Sequence, residues 1–257
     1  MTTLNRPYVS VIINSYMDDP GDYKRVINDY LSQEGVKIQI IISTVVKDKI
    51  IKYAKSLKLD IVISQKPGIY RQLNKALKRV KGDWFNYSSA NDSIQKDKLI
   101  REINYCLGND KKICYSCFNV EKDGQKTVNQ LEDYSYSENL KRNFISDLAV
   151  VNSSLINKYA PFKKEFGNWA YWDFWLRIAE GEGNIFIYYP EPTWTYLVSK
   201  NSRHIRKLGN KKMWDKDEQD KKNMFLSHGV NYKSIPYKLR YSNRRKKIVN
   251  INTVFNP

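Results

Sequence analysis

The chain has 257 residues, of which 41% are hydrophobic and 28% are charged. This composition is too apolar for a disordered chain, and the length is sufficient to bury a full hydrophobic core. Charged residues interrupt every apolar run before it reaches the ~20 residues of a membrane-spanning helix, and the N-terminal residues lack the basic and apolar segments of a secretory signal. The sequence therefore predicts a cytoplasmic globular protein.

The chain carries a large excess of positive charge. It contains 44 Lys and Arg residues against 27 Asp and Glu, which gives a net charge of +17 and attracts phosphates, nucleic acid or an anionic lipid surface. The lysines are spread between apolar residues, as on solvated helix faces, and no nucleic-acid-binding module is recognisable, so nucleic acid is the least favoured partner. The basic stretch 238–247 is a candidate patch for lipid headgroups, and hence for a peripheral position at a membrane.

Three cysteines, Cys106, Cys114 and Cys117, are too few for a four-cysteine zinc site. Cys114 lies in the apolar run 113–118, and free cysteine is commonly buried as a small hydrophobic side chain. We therefore expect the cysteines to pack in the core rather than to bind metal or form a disulfide.

The first ninety residues alternate strand and helix patterns, which predicts a parallel sheet with crossover helices. Apolar, β-branched runs predict strands at residues 9–13, 36–42, 60–64 and 84–87. Caps and amphipathic spacing predict helices from Pro20, over residues 49–57, and from Ile69 to a C-cap at Gly82. The fourth strand runs into Asn91 and Asp92, and ligands of open α/β sheets gather beyond the carboxyl ends of strands. These two residues are therefore site candidates by position.

The second half of the chain is less regular. Its patterns predict a helix at residues 96–107, a strand at 112–119, a polar hairpin or loop at 121–129, a helix at 172–179, strands at 184–189 and 193–198, and a helical segment from Lys211. We find no internal repeat and no long Pro-, Gly- or Ser-rich linker. The sequence therefore predicts one domain over residues 1–209, followed by a basic helical C-terminal extension over residues 210–257.

Several enzyme classes are disfavoured because the motifs typical of them are missing from the sequence. Neither G-x-x-x-x-G-K-[ST] nor G-x-G-x-x-G occurs, which disfavours a P-loop kinase or a dinucleotide-binding enzyme. The two histidines, His204 and His228, belong to no H-E-x-x-H motif, and G-x-S-x-G is also absent, which disfavours a zinc protease or an α/β-hydrolase.

Three other segments carry motifs in a fixed order. Residues 9–16 read V-S-V-I-I-N-S-Y, residues 67–75 read P-G-I-Y-R-Q-L-N-K, and residues 166–177 read F-G-N-W-A-Y-W-D-F-W-L-R. In this order and at these intervals, over residues 7–205, they resemble the family 2 glycosyltransferases. That family opens with V-S-V-I-I-P-T-Y, continues with a G-I-Y-x-x-x-N-K helix start, and carries an A-D-W-[DE]-F-W-L-R segment.

The resemblance implies a GT-A-like fold, which is a Rossmann-like α/β/α sandwich with a mixed, mostly parallel central sheet. It implies an inverting glycosyltransferase that moves a hexosyl or pentosyl group from a nucleoside-diphosphate sugar to a hydroxyl of a glycan or lipid-linked acceptor, as in polysaccharide biosynthesis. It also places a set of residues at the nucleotide: Asn14, Ser15, Tyr16, Ser43, Gly68, Asn74, Asn91, Arg203 and Arg206. Ser43 stands where the family tends to have an aspartate against the base, and a solvated basic loop remains the alternative for residues 199–206.

Asn91 and Asp92 stand where the family carries a D-D or D-x-D motif that binds a divalent cation. A hard Mg²⁺ or Mn²⁺ ion takes oxygen ligands. Asp92 supplies one carboxylate, Asn91 only a neutral amide oxygen, and His204 is a further candidate ligand for the metal or donor to a phosphate. The alternative for Asn91 and Asp92 is a turn or helix cap without a metal.

The segment 166–177 is expected to supply the general base, since an inverting transfer needs a carboxylate to take the proton of the acceptor hydroxyl. Tyr171 occupies the position that is most often aspartate, and Asp173 matches the second acidic position, so Asp173 is the predicted catalytic base. The alternative is a helix-start residue favoured by the helix dipole. Trp169 and Trp172 are the predicted platforms for the acceptor sugar.

A sugar nucleotidyltransferase is disfavoured, because the glycine-rich, basic loop that such enzymes use on triphosphates is missing. The missing acidic residues and the net charge of +17 leave two rival hypotheses. One is a catalytically weak or inactive protein of the same fold that binds a nucleotide or glycan without transfer. The other is a basic nucleic-acid-binding protein that uses its charge and tyrosines for phosphate contact and base stacking.

Overall fold

The computed structural model describes residues 6–90, 92–198 and 211–235, with side chains from residue 214 onward in the last range. The described strands are β1 (Tyr8–Asn14), β2 (Lys37–Val45), β3 (Asp60–Ser64), β4 (Trp84–Ser89), β5 (Asp92–Ile94), β6 (Ile113–Ser116), β7 (Phe118–Lys122), β8 (Gln125–Asn129), β9 (Val150–Asn152), β10 (Phe186–Tyr189) and β11 (Trp194–Leu197). The described helices are α1 (Pro20–Leu31), α2 (Ile50–Ser56), α3 (Ile69–Leu77), α4 (Lys98–Gly108), α5 (Tyr136–Asn139), α6 (Ser154–Tyr159), α7 (Ala170–Glu182) and α8 (Lys211–Ser227), with 3₁₀ helices at Lys164–Trp169 and Tyr232–Ser234.

A seven-stranded sheet in the order β10-β6-β9-β4-β1-β2-β3 forms the centre of the fold. β1 pairs in parallel with β2 and β4, β2 with β3, and β10 with β6, whereas β9 runs antiparallel to β4 and β6. A second sheet has the order β5-β11-β7-β8. The predicted mixed, mostly parallel central sheet is therefore confirmed.

The two faces of the central sheet are both covered, because successive side chains of a strand point to opposite faces. Ile12 and Ile41 belong to an apolar cluster that includes residues of α3 and α7. Their neighbours Ile13 and Ile42 belong to a second cluster that includes residues of α1 and α4. Helices on both faces give the α/β/α sandwich that the sequence predicted.

The first helix begins where its cap predicts. The Asp19 carboxylate accepts a hydrogen bond from the Gly21 N–H at 2.7 Å, and Pro20 occupies the first turn, where a missing N–H costs nothing. The buried stripe of α1 consists of Tyr23, Val26, Ile27 and Tyr30. The helix therefore packs on the sheet through the residues whose spacing predicted it.

The predicted strand at residues 112–119 is in fact two strands in different sheets. Cys117 separates β6 in the central sheet from β7 in the second sheet, and its thiol donates to the Pro190 carbonyl at 3.1 Å. An unbroken run of strand-forming residues gives no sign of a change of sheet, because tertiary pairing decides it. All three cysteines are buried, as expected.

The described part of the predicted extension packs on the rest of the chain. Met224 and Phe225 of α8 have no exposed surface, and with Tyr232 and Ile235 they join the apolar cluster that contains α7. Within this segment α8 occupies Lys211–Ser227, and both the boundary at residue 209 and the helical extension over residues 210–257 stay predictions. Among the described helices, none is long and apolar enough to cross a membrane.

Candidate active site

Three strands end side by side at the carboxyl edge of the central sheet. The register pairs Asn14, the last residue of β1, with Ser43 of β2 on one side and with Ser89 of β4 on the other. Residues from three separate segments of the sequence are therefore adjacent. This edge is where ligands of open α/β sheets bind.

Two buried polar atoms at this edge have no hydrogen-bond partner among the described residues. They are Oδ1 of Asn14, whose residue is 8% exposed, and Oγ of Ser43, whose residue is fully buried. Buried polar groups in native proteins are nearly always paired, because leaving one unpaired costs about 1–3 kcal/mol. These two atoms are therefore available to hydrogen-bond a polar ligand at this edge.

Asp48 holds the turn that follows β1 against the end of β2. Its Oδ2 accepts hydrogen bonds from Ser15 Oγ at 3.2 Å, the Met17 N–H at 2.9 Å and Thr44 Oγ1 at 2.7 Å, while Oδ1 accepts from the Ile50 N–H at 3.2 Å. The sequence interpretation did not single out Asp48. In the sequence, Asp48 is marked only as an acidic residue shortly after a buried strand. Its partners could not be predicted, because they depend on the pairing of β1 with β2.

The start of α3 is joined to the same turn. Gly68 has a φ of 150°, which favours glycine, and its N–H donates to Gln72 Oε1 at 3.2 Å. Gln72 Nε2 in turn donates to the Ser15 carbonyl at 3.3 Å. Asn74 lies one turn further on and exchanges two 2.8 Å hydrogen bonds with the main chain of Phe162. Its amide therefore joins α3 to the segment before α7, which is a structural role.

Asp92 lies beside this row at the end of β4. It is 2% exposed, and its Oδ2 accepts from the Ser89 N–H at 3.2 Å and from Ser89 Oγ at 2.8 Å. Burial raises the pKa of Asp92 to about 7, although the two hydrogen bonds from Ser89 lower it. The negative charge of Asp147 raises this pKa further, and the positive charge of Arg25 lowers it. A carboxylate with so costly a negative charge gains strongly from a nearby cation.

The described residues do not form a complete cation site by themselves. No group of three or more His, Cys, Asp or Glu side chains that could hold a metal occurs in residues 6–90, 92–198 and 214–235. Mg²⁺ and similar ions are commonly bound through one or two carboxylates together with substrate phosphates. Asp92 fits such an arrangement, in which a diphosphate supplies most of the oxygens.

Four predicted site residues, Asn91, Arg203, His204 and Arg206, lie outside the described residues. The basic stretch 238–247 also lies outside them. Tyr16 is described and is 44% exposed at the turn after β1, where its N–H donates to Asp18 at 2.9 Å. Its ring is therefore accessible at the carboxyl edge.

Asp173 is enclosed on α7. Its side chain has no exposed surface, and its oxygens lie 2.8 Å from Arg177 Nε, 3.1 Å from His228 Nε2 and 3.5 Å from Lys163 Nζ. Burial works against the charged form, but the hydrogen bond from His228 and the charges of Arg177 and Lys163 outweigh it and lower the pKa of Asp173. This geometry favours a structural role over the catalytic role that the sequence predicted, because an acceptor hydroxyl has no access to the carboxylate.

The two tryptophans predicted as sugar platforms have different surroundings. Trp172 is 3% exposed and donates from Nε1 to the Asn139 carbonyl at 2.7 Å, so its ring is part of the core. Trp169 is half-buried, donates to the Asp217 carbonyl at 2.8 Å, and has Lys221 Nζ 4.8 Å from its ring centroid. Of the two rings, Trp169 alone retains appreciable exposed surface.

Comparisons with known proteins bear on the fold. A scan against protein-family models finds no match, and a search of curated proteins also finds none. Solved structures do match. TarS of S. aureus in complex with UDP has a TM-score of 0.63 at 13% identity, covering 95% of this chain and 76% of TarS residues 1–349.

Two further structures give similar values. Glucosyl-3-phosphoglycerate synthase from Mycobacterium tuberculosis, in complex with Mn²⁺, UDP and glucosyl-3-phosphoglycerate, has a TM-score of 0.61 at 12% identity, covering 88% of this chain and 81% of that one. The mannosyltransferase PcManGT from Pyrobaculum calidifontis, in complex with GDP-Man and Mn²⁺, has a TM-score of 0.59 at 13% identity, covering 93% and 68%. These neighbours share the α/β/α architecture and mostly parallel central sheet described above. The chain therefore has the GT-A fold of nucleotide-sugar glycosyltransferases.

Proposed function

We propose that the protein is an inverting glycosyltransferase that moves a sugar from a nucleoside-diphosphate sugar to a hydroxyl of a glycan or lipid-linked acceptor. The observation that carries the proposal is the row Asn14, Ser43 and Ser89 at the carboxyl edge, with its two unpaired buried polar atoms and the adjacent Asp92. A GT-A fold with an unsatisfied polar edge favours a nucleotide ligand there. Donors with UDP or GDP, as in the complexes of the structural neighbours, are the first to test.

The nucleoside is proposed to lie against Asn14, Ser43 and the turn at Ser15 and Tyr16, with Gly68 on its far side. Ser43 Oγ can donate to a carbonyl of the base or accept from its N–H, and Asn14 Oδ1 can accept from an N–H or hydroxyl. These are the groups that a buried nucleoside presents. Binding would therefore satisfy the two atoms that the described residues leave unpaired.

Asp92 is proposed to hold a divalent cation, Mn²⁺ or Mg²⁺, together with oxygens of the donor diphosphate. Such a cation neutralises charge on the departing diphosphate. Ser89 fixes the Asp92 carboxylate, because its main-chain N–H and its side-chain hydroxyl both donate to Oδ2.

The proposed class of acceptor is inferred from the positive charge of the chain. The net charge of +17 favours an anionic acceptor or an acceptor held at an anionic membrane surface. We propose that the basic stretch 238–247 makes that contact. Loss of binding to anionic liposomes in the combined Arg244→Ala, Arg245→Ala and Lys246→Ala variant would support it, whereas unchanged binding would refute it.

The experiment that tests the proposal is a thermal-shift screen of nucleoside diphosphates and nucleotide sugars with and without Mn²⁺. A ligand present at 100 times its Kd stabilises the folded state by about 2.7 kcal/mol, which is readily seen as a rise in Tm. We expect stabilisation by one nucleotide, strengthened by Mn²⁺ and lost in Asp92→Ala. Glu34→Ala is the matched control, because Glu34 is an exposed carboxylate before β2, at the opposite edge of the sheet.

Other outcomes select the rival hypotheses. A nucleotide shift without transfer or donor hydrolysis would indicate a binding protein of the same fold. No shift with any nucleotide, combined with steeply salt-dependent binding to oligonucleotides, would indicate a nucleic-acid-binding protein.

A further inference from the structure

Asp147 lies at the same carboxyl edge, on the far side of β4 from Asn14. β4 and β9 are antiparallel and pair Asn86 with Val150, so the residues that precede Val150 run along the carboxyl end of β4. That end carries Ser89, which holds Asp92. The strand ends thus place Asp147 on one side of the end of β4 and Asn14 on the other.

The main chain around Asp147 is fixed by three buried side chains from different elements. Tyr171 Oη donates to the Asp147 carbonyl at 2.7 Å, while Asn86 Nδ2 and Lys98 Nζ donate to the Leu148 carbonyl at 2.7 Å and 2.9 Å. The side chain of Asp147 is nevertheless exposed, although the residues on both sides of it are buried. A rigid backbone that presents one accessible carboxylate is the arrangement expected of a functional group.

Asp147 and Asp92 are close enough to interact. The charge of Asp147 contributes to the raised pKa of Asp92. Protein surrounds Asp147 closely enough that burial raises the pKa of its own carboxyl to about 6, although the side chain retains exposed surface. Asp147 is therefore accessible to an acceptor, and its carboxyl is mostly ionised at neutral pH.

Neither Tyr171 nor Asp173 offers the proposed transfer an accessible base. Tyr171 stands where the resembled family most often has aspartate, and burial raises the pKa of its phenol well above the usual value, so it stays protonated at neutral pH. Its hydroxyl is committed to the Asp147 carbonyl. Asp173 is enclosed by Arg177, Lys163 and His228.

We propose that Asp147 is the general base of this enzyme, an inference that rests on the proposed glycosyltransferase function. Its carboxylate takes the proton of the acceptor hydroxyl as the acceptor oxygen forms a bond to the anomeric carbon of the donor. The bond between that carbon and the diphosphate oxygen breaks, and its electron pair leaves with the nucleoside diphosphate. Tyr171 is then a positioning residue that holds the Asp147 main chain.

The test compares Asp147→Asn with Asp173→Asn and the wild type, using a hydroxyl acceptor and azide in turn. Azide is an anionic nucleophile without a proton to lose, so its transfer needs no base. General acid–base catalysis contributes typically 10²–10⁴-fold. We expect Asp147→Asn to lose at least about 100-fold in kcat with the hydroxyl acceptor, and to match the wild type with azide and in the nucleotide-induced Tm shift.

The outcomes separate this inference from the function on which it rests. A wild-type protein without a nucleotide-induced Tm shift and without transfer overturns the proposed function itself. If the wild type transfers and Asp147→Asn keeps its rate with the hydroxyl acceptor, or loses the azide reaction equally, Asp147 is not the base. If only Asp173→Asn loses sugar transfer to the hydroxyl acceptor and this variant keeps transfer to azide, Asp173 is the general base.

Discussion

Lys98 and Glu102 form an ion pair of 2.5 Å in which neither side chain has any exposed surface. Lys98 also donates to the Leu148 carbonyl, and Glu102 accepts from Thr193 Oγ1 at 2.6 Å. The pair therefore links α4 to the turn that presents Asp147 and to the strand region before β11. Both charges have the additional hydrogen bonds that a buried pair requires.

Lys98→Met is expected to destabilise the fold by about 3–5 kcal/mol, because it leaves the Glu102 carboxylate buried without its partner. The measurement is the free energy of unfolding in urea. Lys98→Met combined with Glu102→Leu should recover much of the loss, since no charge then remains buried. Lys96→Met is the matched control: its side chain is 70% exposed in a surface pair with Glu34, and such pairs contribute at most about 1 kcal/mol.

Tyr171→Phe is expected to remove the hydrogen bond to the Asp147 carbonyl while keeping the ring in place between Phe162 and Trp175. The cost in stability should be about 1 kcal/mol, the net value of one hydrogen bond. If Asp147 acts as proposed, kcat should also fall by roughly tenfold or more with little change in KM, since misplaced catalytic groups lose rate steeply.

Tyr159→Phe is the control for this variant. Tyr159 donates to Glu182 at 2.9 Å near the amino edge of the sheet, so the change removes a comparable hydrogen bond away from Asp147. Equal effects of the two variants on kcat would contradict a positioning role for Tyr171.

His228 gives the stability a predictable dependence on pH. Burial opposes the imidazolium form, but hydrogen bonds with Asp173 and Glu180 outweigh it and raise the pKa of His228 above its usual value. A raised pKa means that the folded state binds the proton more tightly. The stabilisation is therefore complete below about pH 6.5, the unfolded value, and is lost as the pH rises through the folded-state pKa.

His228→Asn should accordingly cost about 2 kcal/mol in free energy of unfolding at pH 5.5, the size of hydrogen bonds between charged groups, and clearly less at pH 9. In the wild type the pKa of Asp173 is lowered, so its carboxylate is ionised at both pH values. Urea unfolding of both proteins at the two pH values measures the difference. An equal loss at pH 5.5 and pH 9 would show that the ion pair with Asp173 is not the source.

Much of the fold and part of the site follow from local pattern. Unlike the nucleotide positions of Asn14 and Ser43, which came from the family resemblance, the parallel sheet and the place of Asp92 beyond its fourth strand were predicted from the alternation of strands and amphipathic helices up to β4. Periodicity and chain order suffice there because consecutive parallel strands leave their ends at one edge.

The remaining features depend on contacts that no local pattern contains. Asp48 and Asp147 were missed because their partners come from neighbouring strands and from helices far along the chain. Asp173 matched a motif at the start of a helix, but its surroundings are set by Lys163 and by His228, which lies 55 residues away. Tertiary packing decides whether a carboxylate is accessible to a substrate or enclosed in an ion pair.

Ser43→Ala should separate ligand binding from stability. Because Ser43 Oγ is buried without a partner among the described residues, its removal should leave the free energy of unfolding unchanged or raise it by up to about 1 kcal/mol. The nucleotide-induced Tm shift should shrink at the same time, since the ligand loses a hydrogen bond. Ser10→Ala is the contrasting variant: Ser10 Oγ donates to Gln39 at 2.6 Å and accepts from the Gly82 N–H at 2.8 Å, near the amino edge. The Ser10→Ala variant should be less stable than the wild type and should keep its nucleotide-induced Tm shift. If Ser43→Ala also loses stability and keeps this shift, Ser43 stabilises the fold and does not bind the ligand.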